Sequence, residues 1–182
     1  MIRTVVVPPA EEPLSLSAAK TYLEVSHDAE DDLIAALLAG GRSHIENSLE
    51  LALIEQVVEV RTAASSISES GLQLNPGPVV EIVSVHRDMR SGTLEDITQL
   101  FELRVSSICV RSGESLSTFA DDTELVIRFR AGFGTSADIP GDLQLALRVL
   151  LGQSYRNRDG AFQTNAITTL SDLLAPYREA RL

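Results

Sequence analysis

The spacing of apolar residues changes twice along the chain, and this change most strongly restricts the fold. Both ends of the 182-residue sequence have the periodicity of amphipathic helices, whereas the middle alternates apolar and polar residues as a half-buried strand does. The clearest alternation puts Leu125, Ile127 and Phe129 on one face. Because helices and strands occupy separate segments, the sequence predicts an α+β fold rather than an alternating βαβ fold.

Apolar residues at helical spacing predict two helices near the N-terminus and a long one near the C-terminus, over residues 14–25, 28–50 and 140–157. Ser15 is the predicted N-cap of the first helix, and Asp28 that of the second. Before them, Met1–Pro9 is predicted to be a leader that contains prolines. Its apolar run is too short for a signal peptide or a membrane-spanning segment. Near the other end, a mobile linker over 159–168 and a short helix over 171–174 are predicted.

An antiparallel β segment is predicted between the helices, over residues 54–131. Polar stretches divide it. Of these, Asp88–Asp96 is predicted to be an exposed hairpin tip and Ser112–Thr123 a long loop, and both are natural contact surfaces for another protein. The predicted architecture is a helical core with this β segment inserted. Residues 1–168 would form a single domain, and residues 169–182 an extended C-terminal tail.

Two glycines, Gly40 and Gly41, interrupt the second predicted helix. Each costs about 1 kcal/mol relative to alanine inside a helix. The pair therefore indicates either a kink or the close approach of another backbone. In a protein that assembles, close packing is the attractive interpretation.

The charge of the chain limits its partners. Twenty-six acidic and 15 basic residues give a net charge of −11, which argues against a surface that wraps nucleic acid by neutralising phosphates. A single cysteine, Cys109, excludes an intramolecular disulfide and a multi-cysteine zinc site. With a mean hydropathy of +0.08, the chain is expected to be a folded soluble domain without a membrane segment.

The best enzymatic motif is the G-x-G-x-x-A string over Gly132–Ala137, which follows a predicted strand. A dinucleotide site needs a helix that begins on those glycines, and here the helix start is predicted later, after Ile139–Pro140. A tight turn is therefore the favoured interpretation. No catalytic residue and no cofactor site is predicted.

Three further patterns have metal-site chemistry but favour a structural interpretation. The acidic run Asp28–Asp32 resembles the start of a calcium loop, but Leu33 stands where such a loop requires glycine. The pair Asp121–Asp122 could bind a metal, although a solvated loop tip is favoured. The three histidines lack paired spacing. No metal site is predicted.

Six short segments follow one another in order along nearly the whole chain: Glu12–Leu16 leading through Ala19–Leu23 to Asp28–Ile34, Leu72–Val79 with Ile82 and Ser84–Val85, Arg128–Gly134, Ile139–Pro140, Tyr155–Arg158 and Leu173–Arg178. In this order they resemble the head-tail connector (adaptor) family of tailed phages and gene transfer agents. The segment Leu173–Arg178 is the most telling part of the resemblance.

The resemblance implies a structural role without catalysis. It implies a ring of about twelve copies on the portal vertex, with a tail-side stopper or terminator protein on its far side. Double-stranded DNA would pass through the ring without specific binding, and an acidic lumen would suit that passage. The implied location is the neck of the virion, after assembly in the bacterial cytoplasm, with no contact to a membrane.

The resemblance also implies three groups of contact residues. Portal docking is assigned to the C-terminal tail, at Leu170, Leu173, Leu174, Pro176, Tyr177 and Arg178. Tail-side contacts are assigned to the two loops of the β segment, at Asp88, Arg90, Asp96, Asp121 and Asp122. Ring packing is assigned to the helices, at Gly40 and Gly41.

Several alternatives stay open from the sequence. The apolar residues of the C-terminal segment could fold back onto their own core instead of docking elsewhere. The strong acidity could serve solubility alone. The chain could also be a soluble ligand-binding domain or enzyme that uses the Gly132–Ala137 turn. The sequence does not separate a phage from a gene transfer agent.

Overall fold

The computed structural model describes residues 1–89, 93–115, 119, 123–157 and 164–178. The described residues form α-helices and two antiparallel β-sheets, which confirms the predicted α+β class. The chain divides into two compact units, the first made of Met1–Pro9 and Glu55–Gly132, the second of Ala10–Ile54 and Phe133–Leu182. All described strands belong to the first unit and all described α-helices to the second.

The first unit contains the strands β1 (Ile2–Val7), β2 (Gln56–Ala63), β3 (Leu72–Gln73), β4 (Val79–Met89), β5 (Thr93–Asp96), β6 (Phe101–Arg104), β7 (Ser107–Val110) and β8 (Glu124–Ala131). Five of them form one sheet with the order β1-β2-β8-β4-β5, and three form a second sheet with the order β3-β7-β6. Every neighbouring pair is antiparallel. The five-stranded sheet therefore has β1 and β5 as its outer strands.

Strand β8 lies at the centre of that sheet and supplies much of its core. Its residues Leu125, Ile127 and Phe129 are fully buried, as the alternation predicts. Ile127 and Phe129 lie opposite Val60 and Val58 of β2, which are buried as well. Fully burying one such side chain contributes about 1.5–3 kcal/mol, so this face of the sheet holds the first unit together.

On the opposite face of the same sheet, the buried carboxylate of Glu59 joins two strands. It accepts hydrogen bonds from Arg128 Nε at 2.8 Å and from Arg61 Nε at 3.0 Å. Burial alone would raise the pKa of Glu59, but the hydrogen bonds and positive charges of Arg128 and Arg61 outweigh it and hold that pKa below its ordinary value. Glu59 is therefore ionised and fully paired in the folded protein near neutral pH.

The second unit is built from the helices α1 (Leu16–Leu23), α2 (Asp31–Leu49), α3 (Gly141–Arg156) and α4 (Thr164–Leu174). The predicted N-cap of α1 is observed, since the Ala18 N–H donates to Ser15 Oγ at 3.2 Å. Buried apolar residues from α2 and α3 form most of the core, among them Ile34, Leu38, Ile45, Leu143, Leu147 and Leu151.

One partly buried arginine ties two connecting segments to α2. Arg42 binds both carboxylate oxygens of Glu12, at 2.9 and 3.2 Å, and one oxygen of Glu46 at 3.1 Å. The other oxygen of Glu46 accepts from the backbone N–H of Leu53 at 2.9 Å. Burial raises the pKa of Glu46, although these contacts oppose the shift. The network fixes the chain before α1 and after α2 against the same helix.

The start of α2 differs from the prediction. The helix begins at Asp31 and not at Asp28, and Glu30 occupies the N-cap position without a side-chain hydrogen bond. Asp28 instead binds Lys20 Nζ at 2.6 Å, and Asp31 binds the same ammonium at 2.7 Å. A cation from α1 therefore pairs with two of the four carboxylates of the acidic run, Asp28 and Asp31.

The predicted hairpin tip Asp88–Asp96 belongs to the hairpin of β4 and β5, whose strands reach further into it than predicted. Two segments predicted to be irregular are regular in the structure. The leader contains β1, which pairs with β2. The predicted linker over 159–168 contains the start of α4 at Thr164. Each was missed because its regularity depends on pairing or packing with a partner distant in sequence.

The carboxylate of Glu59 gives a test of the sheet. We expect Glu59→Gln to lower the free energy of unfolding by about 1–2 kcal/mol at pH 7, because it removes the charge from a buried, doubly bonded acceptor. Since the pKa of Glu59 is lower in the folded than in the unfolded state, this contribution is present above the unfolded pKa and is lost as the pH falls through the folded pKa. Urea denaturation at pH 7 and pH 3 measures the change.

The matched control is Glu102→Gln. Glu102 pairs with Arg104, whose side chain is 58% exposed, so its loss should change stability by less than about 0.5 kcal/mol. An equal difference between wild type and Glu59→Gln at the two pH values would contradict the role of the ionised carboxylate.

Candidate interaction surfaces

The C-terminal segment lies on the core of its own unit. Helix α4 packs against α3, and a 3₁₀ turn over Ala175–Tyr177 follows it. Leu174 is buried, with 3% of its surface exposed, and Leu170, Leu173 and Tyr177 pack partly buried against the same core. This is the fold-back arrangement that the sequence left open beside an extended tail.

Two residues of the predicted docking group remain outside this packing. Pro176 and Arg178 are exposed, whereas burial, together with the nearby charge of Asp142, raises the pKa of Tyr177. Of the six predicted docking residues, four therefore pack against their own unit and two, Pro176 and Arg178, face outward. A partner could reach the outward side without any rearrangement.

The β-segment residues predicted to face a tail-side partner are only partly described. Asp88 and Asp96 lie on the hairpin formed by β4 and β5, where Asp88 is opposite Leu94 and Asp96 is opposite His86. Arg90, Asp121 and Asp122 lie outside the described residues. The structure therefore brings Asp88 and Asp96 to one face of one hairpin.

Both aspartates also have structural contacts. Asp96 accepts hydrogen bonds from the side chain and the backbone N–H of Thr98, at 2.6 and 2.9 Å, and these bonds lower its pKa. Asp88 lies 3.9 Å from the guanidinium of Arg61. Contact with another protein would have to use the remaining acceptor sites of these carboxylates.

The two glycines of α2 have different surroundings. A Cβ on Gly41 would lie 3.1 Å from Leu147 Cδ1 and 3.5 Å from Leu150 Cδ2, so this glycine serves close packing against α3 of the same chain. A Cβ on Gly40 would meet nothing within 4 Å. Of the two, only Gly40 is free to contact another copy.

Gly40 borders an apolar cleft of about 430 Å³ within the second unit. Residues of three helices line it: Ala36, Leu37, His44, Leu150, Ser154 and Leu170. The sequence shows no sign of this cleft, because it is formed by helices that are distant along the chain.

Two backbone donors of the turn after Gly132 are bound to carboxylates of the same chain. The Thr135 N–H donates to Asp138 Oδ2 at 2.9 Å, and the Ser136 N–H donates to Glu11 Oε1 at 2.7 Å. A Cβ on Gly134 would lie 2.8 Å from the Asp138 carboxylate, and its φ is +116°. The glycine permits a tight turn around Asp138, and α3 begins only at Gly141, so the favoured interpretation of the motif fits the geometry.

Two searches for other sites gave negative results. Among the residues that the structure describes, no three His, Cys, Asp or Glu side chains are grouped so that they could hold a metal ion. No described helix is both long enough and apolar enough to cross a membrane.

Comparison with known proteins identifies the fold. No family model matches the chain, and no curated protein matches it significantly. A chain from the neck of an empty gene transfer agent (GTA) particle, computed with C6 symmetry, superposes with a TM-score of 0.87 at 20% identity. The match covers 100% of this chain and 97% of that one. This chain has the fold of a GTA neck component.

Two further structures give the same result. A chain from the virion of a native GTA particle has a TM-score of 0.86 at 21% identity, and one from the neck of a native GTA particle, computed with C12 symmetry, has a TM-score of 0.82 at 22% identity. In both cases the match covers 100% of this chain and 97% of the other. The likeness thus extends over both units.

The packing of α4 predicts a large effect for Leu174. We expect Leu174→Ala to lower the free energy of unfolding by about 2–4 kcal/mol, because it leaves a cavity in the core of the second unit. The matched control is Leu145→Ala on α3, where the side chain is 44% exposed, with an expected cost below about 1 kcal/mol. Equal, small effects in thermal and urea denaturation would mean that α4 is detached in solution.

The two glycines of α2 predict different stabilities for their valine variants. Gly41→Val should lower the free energy of unfolding by about 1–3 kcal/mol, since the added methyl groups meet Leu147 and Leu150. Gly40→Val adds the same groups in open space and should change it by less than about 0.5 kcal/mol. Urea denaturation of both variants measures the difference. Equal stability of the two would contradict the close packing of Gly41 against α3.

Proposed function

We propose that this protein is a non-enzymatic structural component of the neck of a gene transfer agent or tailed-phage particle. The observation that carries the proposal is the fold similarity over the full length of the chain, with TM-scores of 0.82–0.87. The chains it resembles are almost the same length, since 97% of each is matched. Every part of this chain therefore has a counterpart in the similar neck structures.

We further propose that copies of the chain form a ring of about twelve subunits on the portal vertex. The C12 and C6 symmetries of the similar neck structures support an assembly with rotational symmetry. Such a ring would join the head to a tail-side stopper or terminator protein. It would be assembled in the bacterial cytoplasm and remain in the virion.

The electrostatics of the chain suit a ring through which double-stranded DNA passes. The net charge is −11, and the arginines Arg61, Arg128 and Arg130 on one face of the large sheet are each paired with carboxylates. Paired arginines are poor partners for phosphates, because each would have to give up a carboxylate first. DNA would then slide through the channel instead of being held by it.

Portal docking is proposed for the C-terminal segment over 169–182. Pro176 and Arg178 already face outward, so a first contact needs no change in α4. Deeper docking through Leu174 would remove this side chain from its own core, at a cost of about 1.5–3 kcal/mol that contact with the portal would have to offset. The folded-back segment is thus a docking element that stays covered until a partner is present.

Tail-side contacts are proposed for the hairpin that carries Asp88 and Asp96, together with Arg90, Asp121 and Asp122, which are assigned from the sequence alone. The hairpin belongs to the first unit and the C-terminal segment to the second. A division of labour between the two units follows, with one contacting the tail side and the other the portal. The packing role proposed for Gly40 in the ring rests on its open surroundings.

The test combines the purified full-length chain with the portal ring encoded near it and examines the product by negative-stain electron microscopy. We expect a second ring stacked on the portal. Arg178→Glu should weaken docking at least tenfold, because it reverses an exposed charge in the proposed docking segment, whereas Arg104→Glu reverses an exposed charge on the first unit and should dock normally.

Each outcome has a separate meaning. No added ring with the wild-type chain would contradict the neck function. Equal docking by both charge variants would leave the neck function intact and contradict the assignment of portal contact to Arg178.

A further inference from the structure

Among the residues that the structure describes, no strand pairs with the outer edges of β1 and β5 in the five-stranded sheet. All six residues of β1 and all four residues of β5 are exposed. An outer strand presents unpaired backbone N–H and C=O groups, and these can pair with a strand from another chain. Both edges are therefore open to sheet extension.

Apart from a register irregularity between Val5 and Val7, strand β1 lacks the features that normally protect such an edge. Its Ile2, Val5 and Val7 are 67%, 48% and 53% exposed, and its single charged residue is Arg3. Soluble proteins usually place several charges, a proline or a very short strand at an exposed edge. An apolar β-branched strand left open in this way indicates that another strand covers it in the assembled state.

We propose that β1 of one copy pairs with β5 of the next copy, so that the sheet continues from subunit to subunit around the ring. This inference rests on the proposed ring. A closed ring requires two different, complementary patches on each subunit, unlike the self-complementary patch of a twofold dimer. The two opposite edges of one sheet meet this requirement.

The strand directions agree with rotational symmetry. Because each neighbouring pair in the order β1-β2-β8-β4-β5 is antiparallel, β1 and β5 run in the same sense, apart from the twist that accumulates over the four steps between them. A rotation about a ring axis keeps that direction nearly unchanged between adjacent copies. The two strands would therefore meet as a parallel pair.

The charges of the two edges are complementary. Arg3 lies opposite Val60, and Glu95 lies opposite Arg87. Following the pairing across β8 places the side chains of Arg3 and Glu95 on the same face of the sheet. Within the part of the chain that the structure describes, Arg3 has no ion-pair partner. Glu95 binds Arg87 of its own chain through Oε2, so its Oε1 is the atom that would bind Arg3 of the next copy.

The same charges disfavour the alternative pairing of two identical edges. Two β5 strands would bring the carboxylates of Glu95 and Asp96 against a second set of the same carboxylates, and like charges across a strand pair are destabilising. On the opposite face of the sheet, Ile2 of β1 and Leu94 of β5 are both exposed apolar residues. Mixed pairing thus joins unlike charges on one face and apolar side chains on the other.

The test uses cysteine pairs in the full-length chain, assembled with the portal ring and then oxidised. Two pairs put both cysteines on the same face of the sheet, Arg3→Cys with Glu95→Cys and Val5→Cys with Glu95→Cys. Adjacent strands bring paired Cα atoms within the 4.4–6.8 Å range of a disulfide, at about 5 Å. We expect at least one of these pairs to give a ladder of covalent multimers on a denaturing gel.

The matched control is Thr4→Cys with Glu95→Cys, because Thr4 lies opposite Glu59 on the other face of the sheet. This pair should remain monomeric on the gel, as should each single variant. Cys109 is buried and common to all variants, so the single variants also report any contribution from it.

The outcomes separate this inference from the proposed function. Rings visible by electron microscopy without crosslinks in either same-face pair would overturn the edge pairing and leave the neck function standing. Covalent dimers of the Arg3→Cys single variant would overturn it too, since they would mean that β1 pairs with β1. Failure of the wild-type chain to form any ring would overturn both proposals.

Discussion

The pairing of β2 with β8 is the interaction on which the rest of the structure depends. It joins residues far apart in the sequence, with Gln56 opposite Ala131 at one end and Ala63 opposite Glu124 at the other. Its apolar face supplies buried core residues of the first unit, and on its polar face Glu59 accepts hydrogen bonds from Arg61 and Arg128. β2 begins and β8 ends next to the two points where the chain passes between its units, after Ile54 and after Gly132. This pairing therefore fixes where the chain enters and leaves the sheet at those points.

The surfaces of the molecule divide by the kind of partner they can take. The sheet face that carries Glu59 has charges paired within the same chain. The edges of the same sheet have unpaired backbone groups and are suited to other strands. The C-terminal segment combines an apolar side, covered by its own unit, with a polar outer side.

Much of the fold could be predicted from local pattern. The alternation over 125–130 identified β8, and the helical spacing placed the first three helices to within a few residues. Elements without a local pattern were missed. β1 has apolar residues on both of its faces and no alternation, and β5 is polar and short, so only their pairing with β2 and β4 makes them strands. The first part of α4, up to Thr168, was assigned to a linker because its packing against α3 is not visible in the sequence, whereas its end over 171–174 was predicted to be helical.

The sequence by itself determined the fold class, the acidic charge and the absence of a continuous phosphate-binding motif, because these follow from periodicity, composition and local spacing. Tertiary structure decided which glycine of the adjacent pair is packed and which is open, which cation pairs with two carboxylates of the acidic run before α2, and which strands lie at the outer edges of the five-stranded sheet. Those properties depend on atoms brought together from distant parts of the chain. No local pattern encodes such contacts, since each is formed only when the whole fold has formed.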